Sequence, residues 1–121
     1  MSDPGIEHAI DMAIIATLRE LGGTEDPHLV DELIDLYLQD APERVTEIQE
    51  ALRSGDFDLL ERASHTLKSA SANIGALGLS AQCAELERMA RDRRMDDAER
   101  RAASSRASFD AVCRALADLR G

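Results

Sequence analysis

Apolar residues recur every three or four positions along most of the chain, and the recurrence is interrupted in four places. These are LGGTEDP (21–27), RSGD (53–56), GALG (75–78) and RDRRMDD (91–97), stretches rich in turn formers or unbroken charge. Five helical segments result. The first covers about 9–21, with Ile10, Ile14, Leu18 and Leu21 on one side. The second covers about 28–53, with Asp26 and Pro27 as N-cap and first helical residue and a stripe of Val30, Leu33, Tyr37, Ala41, Val45, Ile48 and Leu52. Its apolar phase survives across Pro42, so one kinked helix is expected there. The third runs about 57–76 behind an Asp56 cap, the fourth about 79–93, and the fifth about 97–119 with Ser105, Phe109, Val112, Leu116 and Leu119 as its seam. Short connections make sequential helices antiparallel, which predicts an all-α fold: an up-down four-helix bundle with a short additional N-terminal helix as a cap.

Composition supports helices packed on helices. The 121 residues are 44% hydrophobic, enough for one core and one domain spanning 1–121, and only 2% aromatic. The net charge of -10 argues against coating nucleic acid or anionic lipid, since both require a positive field. Residues 1–58 hold 15 acids and 3 bases, against 9 and 11 in the remainder, so one half is strongly acidic and the other nearly neutral. Cys83 and Cys113 have no metal or redox spacing and fall on apolar stripes, as buried thiols of a reducing compartment would. The N-terminal apolar stretch is short and broken by charge, unlike a signal peptide or membrane span. A cytoplasmic protein is expected.

Candidate chemistry centres on HTLKSASANIGA (65–76). On a helical wheel of about 100° per residue, Leu60, Ala63, Leu67, Ala70, Ser71 and Ile74 share the side that must face the bundle, and His65 points directly away. Glu61, Arg62, Lys68, Ser69, Ala72 and Ala76 share its outward face. An exposed face in so charged a chain would ordinarily carry long side chains, whereas Ser69, Ala72 and Ala76 form a bare strip that would let another protein surface approach the imidazole. Lys68, one turn beyond His65, is the chain's single Lys among 14 Lys and Arg residues. A lone Lys suits a site that wants a compact, mobile point charge. His8 and His28 have no Lys three residues on and are expected at the surface.

The stretch ASHTLKSASANIGALGL resembles the signature of the histidine-containing phosphotransfer (HPt) domain family, in which an exposed helical His is followed three residues later by Lys. LVDELIDLYLQDAPERVTEIQEAL, SGDFDLLERASHTLK and LSAQCAELERMAR are similar to the family in order and spacing, as is Gly75 ten residues after the His, so that the resemblance covers roughly residues 11–118. It implies that His65 accepts a phosphoryl group from a receiver-domain aspartyl phosphate and passes it to another receiver, in a response regulator or a hybrid histidine kinase. Lys68 would steady the phosphoryl charge. No metal or cofactor is expected in this chain; Mg²⁺ would come with the receiver. A phosphocarrier without kinase activity, acting as a monomer, is implied. If the fourth helix folds back about Leu77 and Gly78, Glu87 comes roughly three residues, about 4.5 Å of rise, from the level of His65, where its carboxylate could take the Nδ1 proton. The family usually has Gly where this chain has Ser69, and often Gln or another polar residue near Glu87.

Two other functions compete. A pure docking module would need no phosphoryl chemistry, and replacing His65 would leave its partner's activity intact. A metal-binding bundle would draw on Glu61 and His65 at i, i+4, but bundle sites need inward-facing ligands and this pair faces outward.

Overall fold

The computed structural model describes residues 9–120. Five helices follow in order: α1 Met12–Gly22, α2 Leu29–Ser54, α3 Phe57–Asn73, α4 Leu77–Arg91 and α5 Ala98–Arg120. Helix α2 packs on α3, α3 on α4, α4 on α5 and α5 back on α2, closing a four-helix bundle, while α1 packs against α2. Ion pairs between helix ends record the antiparallel sense. Arg120 at the end of α5 makes a two-pronged contact, 2.5 and 2.9 Å, with Asp35 near the start of α2, and Arg93 beyond α4 reaches Asp58 in the first turn of α3 at 3.1 Å.

Local chemistry sets the helix ends that frame the site. Gly55 adopts the left-handed conformation (φ 72°) that closes α2, and Asp56 immediately caps α3 by accepting the Leu59 N–H at 3.0 Å, so two residues suffice to turn the chain back. The other end of α3 stops at Asn73. Gly75 takes φ 89°, where a Cβ would lie 3.0 Å from the Asp11 carbonyl, and its own carbonyl accepts the Asp11 N–H at 2.8 Å. That turn aims α4 back along α3, and the packing between these two helices is the most extensive in the molecule.

Ile34, Leu60, Leu67, Leu79, Leu86, Val112 and Leu116 are fully buried in the shared core, joined by tilted rings of Tyr37 and Phe109 at 6.3 Å. The Tyr37 hydroxyl and Ser71 Oγ, both buried, hydrogen-bond at 2.9 Å, satisfying two polar groups at once.

Several sequence expectations need correction. Helix α2 begins at Leu29 without a side-chain cap, because Asp26 and Pro27 belong to a preceding turn in which the Asp26 carbonyl accepts the Leu29 N–H. It runs as one helix through Pro42, as expected, but Ile34 and Ala51 are buried more deeply than Leu33 and Leu52 of the expected stripe. In α1 the core residue is Ile15, and Leu21 is 76% exposed. The physical reason is that Ile10 precedes the helix, its neighbour Asp11 being bonded to Gly75, so the phase cannot be counted from it. Helix α3 ends three residues early, and Ala76 is buried. Cys83 is buried, whereas Cys113 is only half-buried. His28 is exposed, and His8 lies outside the described residues.

Candidate functional site

His65 stands in the middle of α3 with 59% of its side chain exposed, on the side opposite Leu60, Ala63 and Leu67. Its Nδ1 lies 2.5 Å from Glu87 Oε2, and no described residue bonds Nε2. Lys68, one turn along the same helix, donates from Nζ to the other carboxylate oxygen, Oε1, at 2.7 Å. A third cation, Arg91, reaches Glu87 Oε2 at 3.4 Å and Glu61 Oε2 at 3.7 Å. One carboxylate thus ties together a histidine, a lysine and an arginine from two helices.

Glu87 is the unusual member, since it is only 4% exposed. Burial by itself would raise its carboxyl, but the hydrogen bonds and charges of Lys68 and His65 outweigh that and hold it below its ordinary value. The sign follows. A carboxyl depressed on folding contributes stability at neutral pH and loses it as pH falls through the lowered folded value. An ionised Glu87 can only accept, so Nδ1 is the donor of this hydrogen bond and Nε2 is left facing solvent without a described partner.

The helix pair holds this arrangement firmly. Ser80 Oγ donates to the Lys68 carbonyl at 2.9 Å, pinning the first turns of α4 to the middle of α3. Beside the imidazole lies an open cleft of about 450 Å³, bordered by Arg44 and Glu47 of α2, Arg62 and Thr66 of α3, and Arg91 of α4. Arg44 Nε and Glu47 Oε1 pair at 2.8 Å.

Of the residues singled out from sequence, the structure brings His65, Lys68 and Glu87 into one hydrogen-bonded cluster, with Glu61 attached through Arg91. Arg62 and Ser69 are exposed and Ala72 is half-buried. Ala76 is not part of the outward face: it is 0% exposed, because the helix ends before it and Gly75 turns it inward. Arg91 was not singled out, although its place four residues after Glu87 is the spacing at which helical ion pairs form. No sequence signal marks Ser80. Among the described residues no three His, Cys, Asp or Glu side chains gather as a metal site, and no helix is long and apolar enough to cross a membrane.

Comparison with known proteins gives one consistent result. The family model for the Hpt domain matches residues 32–120. The chain is 35% identical over 68 residues to histidine-containing phosphotransfer protein 4 of Arabidopsis thaliana, covering 54% of each chain. It is 31% identical over 81 residues to histidine-containing phosphotransfer protein 2 of Oryza sativa subsp. japonica, covering 65% of this chain and 53% of the relative. The matches therefore span about half the length of these curated relatives. Among solved structures, histidine-containing phosphotransfer protein B of Pseudomonas aeruginosa PAO1 superposes with a TM-score of 0.84 at 29% identity, covering 98% of this chain and 96% of that one. A rice protein described as a putative histidine-containing phosphotransfer protein gives 0.77 at 25% identity, over 91% and 79%.

Proposed function

This chain belongs to the Hpt domain family, and on that premise we propose that it is a phosphorelay intermediate whose phosphoacceptor is His65. The observation that carries the proposal is an exposed imidazole whose Nδ1 is held by a buried carboxylate while Nε2 is open. The Nε2 lone pair attacks the phosphorus of a receiver's aspartyl phosphate, the P–O bond breaks, and the carboxylate leaves with its electron pair. The phosphoramidate formed is energetic enough to be passed to the aspartate of a second receiver. Lys68 lies one turn away, where its ammonium can move from Glu87 to the phosphoryl oxygens and offset their charge.

Receiver domains of response regulators or hybrid kinases are the partners of this chemistry, and Mg²⁺ belongs to their acidic pocket. Ser69 and Ala72 leave room for a receiver beside His65, with Glu61 and Arg62 at its edge. The protein carries phosphoryl groups without being a kinase: the sequence has neither a Gly-rich nucleotide loop nor βα alternation. It acts as a monomer in the cytoplasm, where Cys83 and Cys113 would stay reduced.

His65→Gln tests this directly. It should abolish labelling by a phosphorylated receiver, with helical signal and melting temperature nearly unchanged, because the exposed ring leaves no cavity and a glutamine amide can still donate to Glu87. The parent's label should be acid-labile and alkali-stable. Stoichiometric labelling of the Gln variant would move the acceptor elsewhere, and unaltered partner activity would favour a docking module.

A further inference from the structure

A phosphorylated imidazole can be a good or a poor phosphoryl donor depending on one proton. If Nδ1 keeps its hydrogen, cleavage of the P–Nε2 bond releases a neutral imidazole; if Nδ1 has lost it, the ring must leave as an anion, which is far less favourable. We propose that the Glu87 carboxylate keeps that proton on the phosphorylated ring and so makes His65 a ready donor, an assignment that rests on His65 being the phosphoacceptor.

The geometry supplies the reasons. Nδ1 and Oε2 are in direct contact at 2.5 Å, and a hydrogen bond accepted by an ionised carboxylate is of the charge-assisted kind, roughly twice as strong as one between neutral groups. Glu87 is almost fully buried, so its negative charge acts on the ring with little screening from water. The two oxygens divide the work: Oε1 holds Lys68, and Oε2 holds His65. When Lys68 turns toward a phosphoryl group, Oε2 remains on Nδ1 and Arg91, already 3.4 Å from that oxygen, keeps the carboxylate paired.

The other charges nearby do not reverse the effect. Lys68 and Arg91 oppose a ring proton, but Glu61 offsets Arg91, and Arg44 of α2 is paired with Glu47. Arg62 borders the cleft in solvent. One turn before Glu87, burial pushes the Cys83 thiol up to about 12, so it stays neutral.

Donation then proceeds without net proton transfer on this chain. An acceptor oxygen forms its bond to phosphorus, the P–Nε2 bond breaks with its electron pair going to Nε2, and the Nδ1 hydrogen stays where it began. With water as acceptor, the displaced water proton goes to phosphate or solvent.

Glu87→Gln removes the charge while its oxygen can still accept from Nδ1 in the same volume; its amide then faces Lys68, and Lys68→Ala, which loses that same contact and keeps the carboxylate, is the control. The full chain would be phosphorylated chemically with phosphoramidate, and the lifetime of the phosphohistidine followed by phosphorus NMR across pH, with helical signal as the check on folding. At about pH 6, where solvent supplies the proton, parent and variant should decay within about twofold of each other. At about pH 8 the variant's label should last roughly tenfold longer, because each pH unit beyond the point of proton loss removes about nine-tenths of the protonated ring. Nitrogen NMR should find Nδ1 of the phosphorylated parent still protonated at about pH 8. Release of that proton below about pH 7 in the parent, or a lifetime ratio that does not change with pH, would overturn the proposal while leaving His65 as acceptor. Failure of phosphoramidate to label His65 in the parent would overturn it together with the phosphorelay function.

Discussion

The outer half and the inner half of the surface formed by α3 and the turn after it are built from similar residues and live in different surroundings. On the outer half His65 and its charged cluster face water, and the neighbouring Ser69 is exposed. On the inner half Ser71 is sealed beneath Tyr37, Ile74 is buried, and Gly75 is bonded to Asp11. Small side chains line both halves. On the outer half they leave space for something to approach; on the inner they allow α2, α4 and the segment before α1 to close over the chain. Smallness alone therefore does not encode exposure, and the backbone that follows decides which use is made of it.

The largest effect expected from this contrast comes from placing the same bulky cation in each half. Ala76→Arg should destabilise the fold by about 3 kcal/mol or more, since the position is fully buried and offers neither volume nor a partner. Ser69→Arg and Ala72→Arg should change stability by under about 1 kcal/mol, Ala72 being half-buried, yet weaken transfer from a phosphorylated receiver by at least about tenfold. Ala103→Arg, exposed on α5, is the control for added charge. Denaturant melts and receiver titrations on the four variants measure both arms. Normal receiver affinity in the two strip variants would mean that the partner docks elsewhere.

That contrast also marks how far the sequence could be followed. Counting at about 100° per residue places Leu60, Ala63, Leu67 and Ser71 on the buried side, with Ala70 half-buried at its edge, because from Phe57 to Asn73 the chain is a regular helix and the angle is the physics. The same count carried to Ala76 fails, since Gly75 at φ 89° ends the rotation on which it depends. GALG is visible as punctuation in the sequence, but its effect on Ala76 depends on a contact with Asp11 some 64 positions away. Helix α1 fails for the matching reason, its phase beginning after the residue that makes this contact. At the site, the closeness of Glu87 to His65 follows from helix rise, whereas its depth of burial comes from how closely α3 and α4 pack, which no single-helix count contains.

A smaller effect separates charge from packing within the outer half. Lys68→Ala should slow transfer by about a hundredfold, the lower end of what is lost when one donor to a developing oxyanion charge is removed. It should also cost about 1–2 kcal/mol, because Glu87 is buried and loses its 2.7 Å partner. Lys68→Arg should regain the stability but only part of the rate, since a planar fork cannot follow the phosphoryl group as an ammonium does. Single-turnover transfer and melting curves on both variants check this. Parent-like rates would reduce Lys68 to a prop for Glu87.

The smallest effect belongs to the sealed half, where a hydrogen bond has no bearing on chemistry. Tyr37 and Ser71 are both buried and satisfy one another, so Tyr37→Phe leaves Ser71 Oγ buried without that partner at a cost of about 1–2 kcal/mol. Ser71→Ala should cost a similar amount by stranding the phenol. The double variant removes both polar atoms together, and should therefore be less destabilised than the sum of the single variants. Burial also pushes the Tyr37 hydroxyl well above its ordinary range, with Ser71 only partly opposing it, so these differences should be flat from neutral pH to about pH 9. Phosphoryl transfer through His65 should match the parent in all three variants, because Ser71 points into the bundle and His65 away from it. A transfer rate that fell in step with stability here would mean that the two halves of this surface are mechanically coupled, and that the open half owes its geometry to the closed one.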